Sequence, residues 1–233
     1  MRALLVAALV TLGLLAAARP AAACVRASEA NRLLGWSADG AYALLALVDD
    51  DGTMDHAEIL PTAYKGFVYV ITAGDADVVV TKVKVGQCAD FGDEDGAIVE
   101  RKKGKLTEAL VRKLKTVKAM KFGTDEVAAA SATPPTATFT GAKRYATHDL
   151  AIVDGATTRT LPVPVWCVGS CMADENWTKW KAEVAAVHTL ASGVVLYELR
   201  LREVCNGGTL IRLVQATPPK LKVPKRRCFG SGQ

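Results

Sequence analysis

Histidine is scarce in this chain, and the usual catalytic signatures are missing. Its 233 residues include only His56, His148 and His188. No G-x-S-x-G elbow is present, and Gly169-Ser170-Cys171 does not substitute for one. The metalloprotease helix motif H-E-x-x-H, the P-loop and G-x-G-x-x-G are also missing. His148 and Asp149 are sequence neighbours. In a strand they point to opposite faces, so they do not form a dyad directly. No catalytic residue and no organic cofactor is therefore assigned from the sequence.

A dominant charge is lacking as well. The formal net charge is +5, and it falls to +3 over residues 24–233. That balance carries no specific nucleic-acid signal. Beyond the first 18 residues no apolar run reaches membrane-spanning length.

The N-terminus is distinctive. Arg2 precedes an apolar run from Ala3 to Ala18, followed by Arg19, Pro20 and small residues. This is the layout of a signal peptide over 1–23, with Ala21-Ala22-Ala23 supplying an A-x-A cleavage site before Cys24. The expected location is secreted or periplasmic. A retained anchor is the alternative, although the run is slightly short for a span.

Six cysteines follow: Cys24, Cys88, Cys167, Cys171, Cys205 and Cys228. An even number in an exported chain favours disulfides, and sequence alone leaves the connectivity open. Two other readings compete. Cys24 after three alanines resembles the cleavage box of bacterial lipoproteins, which implies a lipidated cysteine and an envelope lipoprotein. Ala21, however, stands where that box has a larger apolar residue, and five cysteines would remain. Alternatively, Cys167 and Cys171 could hold zinc. There is no second close pair, so His188 and Cys205 would have to complete the site. The Cys167–Cys171 spacing has one residue too many for a thioredoxin-like redox pair.

The clearest folding signal is Leu34-Gly35-Trp36-Ser37-Ala38-Asp39-Gly40, followed by the apolar run 41–48. Asp-Gly marks a turn, and a run apolar on both faces fits a strand covered on both sides. Two further strands are expected over 67–71 and 78–85. The segment Asp49 to Lys65 between them reads as a polar loop. It holds Asp49, Asp51, Asp55 and Glu58, a carboxylate density that makes calcium the one ion worth considering. EF-hand spacing fails, because Met54 and Leu60 occupy the sixth and twelfth positions from Asp49. A second acidic cluster runs from Asp90 to Gly96.

Trp36-Ser37-Ala38-Asp39-Gly40 with Val68-Tyr69-Val70-Ile71 resembles one blade of a TolB-type or WD40-like β-propeller. The likeness covers residues 33–85, and Ala38 stands where such blades usually carry proline. It implies an interaction surface and no catalytic residues. No further copies recur at the period that propellers need, so a complete propeller is not supported.

Residues 98–122 carry nine basic and two acidic side chains, whereas residues 24–97 carry five and thirteen. Leu106, Leu110, Leu114 and Val117 recur at helical spacing, predicting one amphipathic basic helix over 101–121. Its charged face could meet anionic lipid or another polyanion, but a surface helix packed on the sheet is the simpler expectation. Ser131 to Thr140 reads as a Pro/Thr-rich linker between sub-blocks 24–130 and 141–217, or as an extended edge.

In the second block, Asp154-Gly155 predicts a hairpin between 145–153 and 157–165. Strands are also expected over 194–204 and 209–214. Trp166, Trp177 and Trp180 cluster near Cys167 and Cys171, either as a ligand platform or as core filling. Asn176-Trp177-Thr178 is a glycosylation sequon, meaningful only in a eukaryotic secretory route. Residues 218–233 form a basic, extended tail.

The expected fold is thus mainly β, built from antiparallel meanders and hairpins in one domain over 24–217, with one helix near the middle. The expected role is non-catalytic binding or structure, with a protein or polyanionic envelope component as partner. An extracellular hydrolase with an acidic site near Asp49–Glu58 is the alternative, together with the lipoprotein anchored through Cys24.

Overall fold

The computed structural model describes residues 30–49, 51–63, 66–84, 97–125, 135–144, 147–164, 180–203 and 209–218. These residues are mostly strand. β1 (Ala30–Ser37), β2 (Tyr42–Val48), β3 (Met54–Pro61), β4 (Phe67–Ala73), β5 (Val78–Lys84) and β6 (Ala97–Glu100) come first. Two helices, α1 (Glu108–Lys113) and α2 (Lys115–Met120), precede the two-residue β7 (Phe122–Gly123). β8 (Thr136–Arg144), β9 (Thr147–Asp154) and β10 (Thr157–Pro164) follow, then β11 (Trp180–Thr189), β12 (Val195–Glu203) and β13 (Thr209–Gln215).

Strands from both halves of the chain share one large sheet, in the order β11-β12-β13-β1-β2-β3-β4-β5-β6, with β7 added on β1. Its pairings are antiparallel except where β13 meets β1 in parallel, at Ala30 and Thr209. β10-β9-β8 form a separate antiparallel sheet. The meander β1 to β5 continues on one side into β6 and on the other into β13, so it does not form a separate blade.

The Trp36 to Gly40 stretch is a hub of this sheet. Asp39 accepts from the Ser37 hydroxyl at 2.6 Å and from the Ala41 amide at 3.0 Å. The Ser37 hydroxyl in turn accepts from the Tyr42 amide at 2.9 Å. These bonds hold the Asp39 carboxyl below its ordinary pKa, the Ser37 hydroxyl contributing most. Gly40 turns the chain at φ +67° and fits against Val194 and Leu190. Trp36 is buried, with its ring 4.5 Å from that of His188 on β11.

The alternation of β2 to β5 places residues on two faces. Leu44, Ala46, Ala57, Ile59, Tyr69, Ile71, Val78 and Val80 face the helices, where Val111, Leu114 and Val117 complete a core. On the opposite face Leu45, Leu60, Val68 and Val70 pack together, with Leu33 and Ile211 against them. The small sheet covers the far end: Leu150, Ile152 and Leu161 pack on Val184, Tyr197, Leu199 and Leu201.

Two expectations need correction. The segment 49–65 is not all loop, since β3 occupies its centre. Ala57 and Ile59 face one core while Leu60 faces the other, and this two-sided alternation outweighs the polar residues between them. The single helix over 101–121 is two short ones. Leu114 adopts an extended conformation (ψ 142°) and is fully buried, so the chain breaks where a core contact is made. Glu100 compensates by accepting from the Lys115 and Thr116 amides. The 131–140 segment lies partly outside the described residues; from Thr136 it belongs to β8, an edge strand of the small sheet. By contrast, the hairpin around Asp154-Gly155 forms as expected, in register from Thr157 opposite Asp154 to Pro164 opposite Thr147.

Candidate functional site

β6 ends the large sheet. It pairs with β5 from Val78 opposite Glu100 to Thr81 opposite Ala97, and no described strand covers its other edge. Ile98 and Val99 are 42% and 57% exposed, large values for branched apolar residues on a strand. Beside them an open groove of about 990 Å³ runs between β6 and the helices.

The groove is strongly basic. Arg101 and Lys102 leave β6, Lys113 ends α1, and Lys115 and Lys118 stand on α2. Among the described residues none of these five cations forms an ion pair. Their positions follow from the packing below them. Val117 and Leu114 point into the core, so Lys115 and Lys118, three apart on the helix, share an outward stripe. Thr107 starts α1 by accepting from the Leu110 amide at 3.2 Å. Arg112 anchors α1 to β1 through a 2.6 Å bond to the Leu34 carbonyl.

Among the described residues Glu100 is the one carboxylate lining the groove. One of its oxygens accepts from the Lys115 amide at 2.6 Å. The other accepts from the Thr116 amide at 3.0 Å and the Thr116 hydroxyl at 2.7 Å. The carboxylate is thereby turned onto the helix backbone, and the surrounding cations keep a net positive field.

The acidic residues considered for calcium are divided between two settings. Asp49 closes a turn, its carbonyl accepting from the Gly52 amide. Asp51 accepts from the Thr53 hydroxyl at 2.6 Å and the Thr53 amide at 2.8 Å, which lower its pKa. Asp55 and Glu58 lie on β3 and flank His56, at 2.8 Å from Nδ1 and 3.8 Å from Nε2. The nearly buried Glu58 carboxylate, aided by Asp55, pushes the His56 pKa up to about 9 against the opposing effect of burial. That shift favours the imidazolium at neutral pH. Among the described residues no group of three histidine, cysteine or acidic side chains is arranged to hold a metal.

Glu58 also serves Arg212 of β13. Burial lowers the guanidinium pKa, and the Glu58 charge opposes that shift. On the same face lies Asn31, opposite Leu47, itself opposite His56. Asn31 is buried, and its side-chain amide has no hydrogen-bond partner among the described residues. On β11, His188 lies 3.0 Å from Glu198.

All six cysteines lie outside the described residues. So do the signal-like segment, the Asp90–Gly96 cluster, Trp166, Trp177 and the basic tail beyond Pro218. Among the described residues no helix is long and apolar enough to cross a membrane. The sequence reading found the basic stretch but missed β6. The signal for it was Ala97-Ile98-Val99-Glu100, a short β-branched run directly before the cationic residues.

No protein-family model matches the chain, and no curated protein or solved structure is significantly similar to it.

Proposed function

We propose that this is an exported, non-catalytic binding protein whose partner is anionic and docks in the groove between β6 and α2. The observation that carries this reading is the set of five cations that, among the described residues, have no carboxylate partner, beside two exposed apolar side chains. Unpaired cations on rigid elements raise the local concentration of an anionic partner, and apolar neighbours add contact area. Export rests on the signal-like 1–23 segment and the even cysteine count.

The test is binding of the full chain to poly-glutamate and to inorganic polyphosphate across a salt series. The expected result is affinity that falls with salt and weakens about tenfold for the Lys115→Glu/Lys118→Glu pair, two lost charge contacts at modest energy each. Affinity for both probes that is unchanged by the pair would remove the groove from the function.

A further inference from the structure

We infer that the groove's natural occupant is an acidic polypeptide segment in extended conformation, which adds to β6 as a further strand of the large sheet. This rests on the anionic-partner reading above and specifies the chemistry of that partner.

The first argument is the edge itself. β6 is a four-residue strand whose outward backbone groups no described strand pairs, although the Glu100 carbonyl oxygen accepts from the Lys102 amide at 2.8 Å. Sheet edges of this kind are templates for an incoming strand, and peptide recognition by strand addition uses them. The second is the alternation of side chains. Ile98 lies opposite Val80, whose side chain faces the helix core, while Val99 lies opposite Val79 on the other face. An added strand meets apolar contact on both faces, at Ile98 and at Val99.

The third argument is charge. The cations occur at the Glu100 end of β6 and on the helix-bearing side, through Arg101, Lys102, Lys115 and Lys118. A strand lying along β6 presents every second side chain to that side. Acidic residues at those positions reach the lysines, and apolar residues between them cover Val99. A compact anion has no use for the exposed valine or for an edge that no described strand pairs. An acidic peptide uses the edge, the apolar pair and the cations together.

The experiment compares three probes on the full chain: an extended peptide of alternating glutamate and valine, the same peptide N-methylated at alternate residues, and inorganic polyphosphate. N-methylation removes backbone donors and leaves the charge intact. The expected result is that the parent peptide binds and slows amide exchange at Ala97–Glu100. The N-methylated peptide should bind about tenfold more weakly, the loss expected for one or two net hydrogen bonds. Equal affinity of the two peptides overturns strand addition while leaving the anionic groove in place. Binding of polyphosphate alone also overturns it, assigning the groove to a non-peptide polyanion. If no probe binds and Lys115→Glu/Lys118→Glu promotes aggregation, the cations serve only to protect a sheet edge, and both readings fail.

Discussion

Gln215, the last residue of β13, donates its side-chain amide to the Gly40 carbonyl oxygen at 3.3 Å and to the Thr62 hydroxyl at 3.1 Å. Thr62 donates its own hydroxyl to the same Gly40 oxygen, and the Gln215 backbone amide donates to the Thr62 carbonyl at 3.1 Å. The turn that begins the meander is therefore fastened to the end of the final strand.

Gly40 should tolerate no side chain. A Cβ there would come 2.8 Å from Val194 Cγ1 at a φ of +67°. Valine is stiff at χ1 and cannot easily yield. Gly40→Ala is expected to cost about 2–3 kcal/mol from the clash and the left-handed backbone together. The measurement is the urea midpoint; an unchanged midpoint would mean that the turn is not packed as described.

His56 makes stability fall at alkaline pH. Its folded pKa of about 9 lies above the ordinary value of 6.5. The stabilising contribution is complete below pH 6.5 and is lost as pH rises through 9. With one partner, Asp55, exposed to solvent screening, about 2 kcal/mol should disappear over that window. Comparing wild type with His56→Gln by denaturant unfolding at several pH values checks this. A His56→Gln profile as steep as wild type would assign the slope to another group.

Tyr197 joins the two sheets. Its hydroxyl donates to Asp154 at 3.1 Å, and Arg159 approaches the same oxygen at 3.4 Å. Burial, with the Asp154 bond second, pushes the Tyr197 pKa up. Tyr197→Phe should cost about 1 kcal/mol, one net hydrogen bond with the ring packing retained. Amide exchange around the β9–β10 turn should accelerate first, and uniform protection would contradict the link.

Glu100→Ala should loosen α2. Three bonds to the first residues of that helix disappear, a loss of about 1–2 kcal/mol by analogy with helix caps. Circular dichroism and thermal unfolding report it, with Glu100→Gln, which keeps one acceptor, expected to lose less.

Strands with a turn signal at one end were easy to read. The Asp154-Gly155 hairpin and the 41–48, 67–71 and 78–85 runs appear almost as their apolar content indicates. β3 was hidden because His56 and Glu58 occupy a face where sequence logic expects apolar residues; mutual charge neutralisation lets them lie there. The helix break at Leu114 was hidden because its spacing suits a helix, while the Glu100 contact that offsets the break comes from another element. The basic character of the groove was legible in residues 98–122. Its exposed floor was not, because an edge position depends on where the sheet ends.

The parallel contact between Ala30 and Thr209 has a consequence for biosynthesis. A chain growing from its N-terminus can form the β1 to β6 meander early, since those pairings are local. The Ala30 end of β1 then waits without β13, and the patch of Leu45, Leu60, Val68 and Val70 lacks Ile211. Neither is covered until β13 has been synthesised, well after the meander. During that interval the unfinished sheet is the form most exposed to self-association, and a chain cut before residue 209 should remain in it.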